Sequence, residues 1–270
     1  MLRHTQLWLS SIALAALMAS AGAQIIIYQT GFENFTLGSI NGQDGWANGS
    51  GGGASQSITD SFARSGSSRS LFWDNTTLVS FYSVRRAFNG QAGAISSTTP
   101  LEATVWVYVS PGTGADRLYG IYLTNSGAGT LGGTVLGATL SGDGGFRAGT
   151  TWGATYSNTP LYSNPSALVG QWARLALRYD GVGGSAAVYD SSDNLLFEIN
   201  FPNVGLGNAN GTGTNSWNVN LGSDYITTTA RSGTGYMDDL LVWIVPEPAS
   251  VAALGAGLAG LLSLRRRRKA

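Results

Sequence analysis

The sequence predicts an all-β protein, an antiparallel sandwich flanked by an N-terminal signal helix and a C-terminal transmembrane helix. Three observations point there. From Gln24 to Trp243, short runs rich in β-branched and aromatic residues alternate with clusters of Gly, Ser, Asn and Asp. No stretch of that body sustains a helical period for more than about ten residues, the length that separates helices from strands. The two long apolar runs, Leu7 to Met18 and Ala249 to Leu264, sit at the ends and not in the body.

Residues 1–23 read as a secretory signal. Arg3 and His4 make a short basic start, Leu7 to Met18 the apolar centre, and Ala21-Gly22-Ala23 an A-x-A exit. The cut falls between Ala23 and Gln24, so Ala21, Ala23 and Gln24 define the cleavage site.

The body, 24–244, is expected to fold as one domain. Candidate strands are 25–29, 70–73, 79–87, 101–109, 117–124, 132–140, 145–149, 172–179, 185–190, 195–200, 217–221 and 235–244. The run 172–179 shows the period most clearly. It puts Trp172, Arg174, Ala176 and Arg178 on one face and Ala173, Leu175, Leu177 and Tyr179 on the other. Asp180-Gly181 and Asp190 to Asn194 are turn sequences, so 172–200 should form a three-strand meander. Trp46, Trp73, Trp106, Trp172 and Trp243 lie in or beside strands and are assigned to the core.

Composition removes whole classes of chemistry. The chain has no Cys, and its single His is His4, in the segment to be removed. Thiol and imidazole catalysis, haem and iron–sulfur ligation and the usual zinc sites are therefore excluded. Between residues 24 and 248 there are nine Arg, no Lys and all fifteen acids, a net charge of −6. A nucleic-acid partner needs a basic face, and none is expected here.

The C-terminal segment, 245–270, has three parts in order. Val245, Pro246, Glu247 and Pro248 precede the apolar run 249–264, and Arg265, Arg266, Arg267, Arg268 and Lys269 follow it. Sixteen residues at ~1.5 Å each give ~24 Å of helix, short of a ~30 Å hydrocarbon core by an amount that local thinning can absorb. The basic cluster holds the cytoplasmic side, which leaves the body beyond the inner membrane. This arrangement resembles the PEP-CTERM sorting signal. The resemblance implies that an exosortase recognises Pro246, Glu247 and Pro248 and processes the tail. It also implies a Gram-negative host, a transient inner-membrane intermediate and a final place at the cell surface or in an exopolysaccharide matrix. A plain membrane anchor is the alternative.

The body has its own likeness. The run Trp172 to Asp180, the opening Gly31-Phe32-Glu33 and the closing Gly235-Tyr236-Met237-Asp238-Asp239-Leu240 resemble the concanavalin A-like lectin/glucanase jelly roll, including laminin G-type domains. That fold hosts lectins and glycosidases alike, so it does not decide activity. The glucanase-type Glu-x-Asp-x-Glu strand is absent: Glu102 and Glu198 stand singly in their strands, and the neighbours Asp238 and Asp239 should point to opposite faces. The expected function is thus a non-enzymatic surface or matrix protein with carbohydrate binding as its candidate activity. The alternative is a polysaccharide-modifying hydrolase that uses carboxylates from separate strands.

Two site expectations follow. Trp152, Tyr156 and Tyr162 fall among Thr, Ser and Asn in the irregular stretch 150–166, as saccharide-stacking rings or as plugs of the sandwich end. Glu33 and Asp238 should meet where first and last strands run side by side. The resemblance to calcium-bearing modules makes them candidate ligands of a structural Ca²⁺, with Asn34 and backbone carbonyls completing the shell. Asp238 capping backbone N–H groups without metal is the alternative.

Overall fold

The computed structural model describes residues 24–49, 56–76, 81–88, 95, 99–125, 131–204, 217–227 and 231–245. The signal segment 1–23, the apolar run 249–264 and the terminal arginines lie outside them. Among the described residues no helix is long and apolar enough to cross a membrane.

The described chain is an antiparallel β-sandwich of fifteen strands. These are β1 (Ile25–Thr30), β2 (Trp46–Asn48), β3 (Gln56–Thr59), β4 (Ser70–Asp74), β5 (Tyr82–Ala87), β6 (Leu101–Val109), β7 (Arg117–Asn125), β8 (Thr134–Ser141), β9 (Gly145–Gly149), β10 (Tyr162–Ser163), β11 (Trp172–Tyr179), β12 (Gly184–Tyr189), β13 (Leu195–Phe201), β14 (Trp217–Tyr225) and β15 (Thr234–Ile244). One sheet runs β13-β12-β11-β6-β15-β4-β3, with β1 also paired to β15; the other runs β10-β9-β8-β7-β14-β5-β2. The meander β11-β12-β13 matches expectation, and so does the union of first and last strands. Strands β2, β3 and β10, of four residues or fewer, have no expected counterpart. They are too short to show a period.

The core lies between the sheets and obeys alternation. From the first sheet come Val105, Val107, Leu175 and Leu177, and from the second Ile121, Leu123, Val219 and Leu221. Strand β11 buries every second residue, as its sequence requires. Of the five tryptophans assigned to the core, Trp46 and Trp73 lie between the sheets, Trp106 and Trp243 are buried outside that core, and Trp172 is half-buried. Trp106, Trp172 and Trp243 share a face with Arg174 and Glu102, on the outside of the eight-stranded sheet. Alternation divided the faces correctly, but tryptophan was wrongly equated with the inner one.

That outer face carries a second apolar layer. Cross-strand pairing sets Trp172, Tyr108, Tyr236 and Phe72 in one row over β11, β6, β15 and β4. The segment between β3 and β4 folds back over this row. Phe62 seats 4.6 Å from Tyr108 and 4.8 Å from Tyr236, and stacks on Trp172 at 5.7 Å. Ring contacts of this kind add about 0.5–1.5 kcal/mol each beyond area burial, enough to hold an otherwise polar loop against the sheet.

Candidate functional site

Strands β1 and β15 pair along Ile25↔Ile244 to Thr30↔Leu240, which delivers Gly31 and Glu33 to the middle of β15. There β15 breaks register between Asp238 and Leu241, and Asp239 takes a left-handed φ of 47°. This bulge corrects the expectation that the two aspartates oppose each other. A Cβ on Gly31 would lie 3.2 Å from Asp239 Oδ1, 3.6 Å from Ser67 Oγ and 3.7 Å from Asp238 Oδ1, so three side-chain oxygens converge above that glycine.

Asp238 is fully buried and its carboxylate accepts from Arg64 N–H at 3.1 Å and from Asp239 N–H at 2.8 Å. Burial pushes its pKa up to about 7, against the opposing pull of those N–H groups. The Arg64 guanidinium pairs with Asp239 at 2.6 Å and lies 3.8 Å over the Trp106 ring. Glu33 turns to Ser68 and Arg69, accepting Ser68 N–H at 2.7 Å and the Ser68 hydroxyl. The Ser67 hydroxyl lies close to both Glu33 and Asp238, with one proton to give to either carboxylate. Among the described residues no three His, Cys, Asp or Glu side chains group tightly enough to hold a metal. The oxygens fit a hard cation such as Ca²⁺ only if Asp238, Asp239 and Ser67 bind it, with Glu33 held one hydroxyl away. Asn34 lines an adjoining open cleft of about 640 Å³ with Gln29, Gln43 and Asp44.

The expected aromatic trio does not form one platform. Trp152 opens a 3-10 turn, Trp152–Tyr156, and its Nε1–H donates to Asp224 Oδ2 at 2.5 Å while its ring meets Phe81 at 4.9 Å. Tyr162 sits on β10, stacked on Phe197 at 5.7 Å. Tyr156 closes the 3-10 turn, with its side chain outside the described set.

The sheets build instead a trough that sequence reasoning missed. On the outer face of the eight-stranded sheet, Ala187, Ala176 and Thr104 stand side by side on β12, β11 and β6. One neighbouring row is Ser185, Arg178, Glu102 and Trp243, and the other is Tyr189, Arg174 and Trp106. Small side chains between rows of large ones leave a hollow of about 210 Å³, which Glu198 on β13 also lines. Arg178 pairs with Glu102 at 3.3 Å, and Arg174 stacks on Tyr189 at 3.8 Å while binding Asp193 at 2.6 Å. Burial raises the Glu102 pKa, and Arg178 pulls it back. Trp243 is 7% exposed, and its Nε1–H has no hydrogen-bond partner. A buried N–H without an acceptor costs about 1–3 kcal/mol, a cost that Trp243 shares with Trp73 among the described residues. The alternation of Arg174, Ala176 and Arg178 was the one available signal. Which strands stand beside β11 is not written in it.

Residues 245–268 match the PEP-CTERM protein-sorting motif. No curated protein matches the chain. Among solved structures, a conserved carbohydrate esterase from the Shiga toxin-encoding bacteriophage phi24B is 16% identical, with a TM-score of 0.50, over 82% of this chain and 99% of its own. Basic winged bean lectin with Tn-antigen is 9% identical, with a TM-score of 0.47, over 81% and 98%. An arabinose-bound α-L-arabinofuranosidase is 11% identical, with a TM-score of 0.44, over 82% of this chain, which spans only 26% of that enzyme. Such identities bear on the fold alone. The chain is thus an antiparallel two-sheet β-sandwich whose residues 245–268 match a PEP-CTERM protein-sorting motif.

Proposed function

We propose that this chain is exported by a Gram-negative cell, processed by an exosortase, and delivered to the surface or matrix, where its sandwich binds saccharide without transforming it. The sorting motif at 245–268 carries the route. For the body, a trough lined by Trp243 and Tyr189 together with Glu102, Arg174 and Arg178 supports recognition of a hydroxyl-rich ligand. The hollow is smaller than the roughly 300–1,000 Å³ of drug-sized sites. It suits about one ring of a longer polymer.

Glu102 and Glu198 stand on strands three intervals apart, about 14 Å between backbones, and both line the hollow. The corner above Gly31 is the proposed place of a structural Ca²⁺. Isothermal titration of the host's exopolysaccharide into the purified chain, beside a reducing-sugar assay, tests the reading. Binding that weakens at least tenfold in Trp243→Phe, with no new reducing ends, is the expected result. Release of reducing ends would establish the hydrolase alternative, and unchanged affinity in Trp243→Phe would move the site elsewhere.

A further inference from the structure

The register of the eight-stranded sheet defines one rim. Ile25, Ile244, Leu101, Tyr179, Gly184 and Phe201 pair in succession across β1, β15, β6, β11, β12 and β13. The chain leaves the sheet at this rim, still held at Val245, whose N–H donates to Pro100 O at 3.2 Å. Only four residue steps, across Pro246, Glu247 and Pro248, then lead from Val245 to Ala249, where the apolar run begins. Fully extended they reach about 14 Å.

The same rim exposes large apolar side chains. Ile25 is 56% exposed, Ile26 55% and Val182 65%. Val182 sits in the β11–β12 turn just past Tyr179, and that turn is rigid: Val204 N–H donates to Val182 O at 2.7 Å. The nearby charge of Asp180 is turned inward on Val182 and Gly183 N–H groups, at 3.0 and 2.7 Å. An exposed apolar edge strand is ordinarily a liability. Here it lies within reach of a hydrocarbon boundary.

We propose that, before processing, this rim rests on the outer surface of the bilayer that the 249–264 run enters, with Ile25, Ile26 and Val182 at the headgroup–acyl boundary. The body then hangs from the membrane by one edge, and Pro246-Glu247-Pro248 is held at the surface instead of on a free tether. The proposal rests on the sorting reading, because the apolar run sets the distance.

The absence of cysteine makes the test direct, since any introduced cysteine is the only labelling point. Full-length chain carrying Val182→Cys, Leu195→Cys or Ala256→Cys is labelled with an environment-sensitive dye and reconstituted into phosphatidylethanolamine/phosphatidylglycerol vesicles containing brominated lipid. Leu195 is the control, 53% exposed but at the opposite end of the sheet, where it pairs with Tyr189. We expect quenching at 256 and at 182, at least threefold more at 182 than at 195, with the signal at 182 halved by Ile26→Asp. Equal quenching at 182 and 195 with 256 quenched would overturn the proposal and leave the anchor intact. A label at 182 shielded from aqueous quencher but untouched by bromolipid would mean that a protein occupies the rim, and would overturn the bilayer as partner. No quenching at 256 would overturn the anchor reading, and the rim proposal with it.

Discussion

Asp224 shows how a single carboxylate can be kept and still strain the fold. It lies on β14, nearly buried, accepting the Trp152 Nε1–H at 2.5 Å and close to the fully buried Arg117. Burial raises its pKa despite the opposing effects of the Tyr225 N–H, the Trp152 N–H and Arg117. A carboxyl whose folded pKa is raised stabilises fully below its unfolded value and loses that contribution as pH climbs through the folded value. Stability should therefore fall as pH rises above about 4 and through the raised folded value, by about 1.4 kcal/mol for each unit of pKa shift. Asp224→Asn keeps an acceptor for Trp152 and removes the charge. It should flatten that slope in thermal melts taken from pH 4 to 8, and a slope equal to the parent's would refute the account.

At the scale of elements, the telling feature is the break in β15. An unbroken strand would send Asp238 and Asp239 to opposite faces. The register shift and left-handed Asp239 bring both above Gly31, beside a loop pinned by Phe62 and Arg64. Three elements, β1, β15 and the β3–β4 loop, thus meet around a buried acid. If Ca²⁺ binds there, it should raise stability by about 2.7 kcal/mol at a hundredfold excess over Kd. For a domain of this size that is about 5–10 °C in melting temperature. The shift should vanish in EDTA and in Asp238→Ala, and should shrink in Ser67→Ala. Indifference of all three proteins to millimolar Ca²⁺ would leave Arg64 as the only counter-charge.

For the whole molecule, the arrangement of the ends matters most. The expected export signal and the sorting motif lie at opposite ends of the sequence, yet Ile25 and Ile244 are paired neighbours. The motif begins at Val245, itself hydrogen-bonded to the sheet end. Replacing Pro246, Glu247 and Pro248 by Ala, with the apolar run kept, should abolish release and hold the protein in the inner membrane. Mass spectrometry of surface fractions reads the outcome. Parent protein should begin at Gln24 and lack residues 265–269, and unchanged release in the triple variant would show that the triplet is not the recognition element.

The order of residues alone determined the longer strands, their faces and the tail, because each is a local property. Period-two alternation is written in Trp172 to Tyr179, and the Pro-Glu-Pro triplet, apolar run and arginines are contiguous. The pairing of first and last strands was legible too, though Glu33 turns to Ser68 and Arg69 and not to Asp238. The trough was not. Thr104, Ala176 and Ala187 are small residues on three strands, Glu102 and Glu198 looked solitary, and Trp243 passed for core. What joins them is the lateral order of β12, β11, β6 and β15, together with a bulge that turns Asp239. Strand order and register are chosen by burying both sheets against each other at once, a non-local condition that no run of ten residues contains.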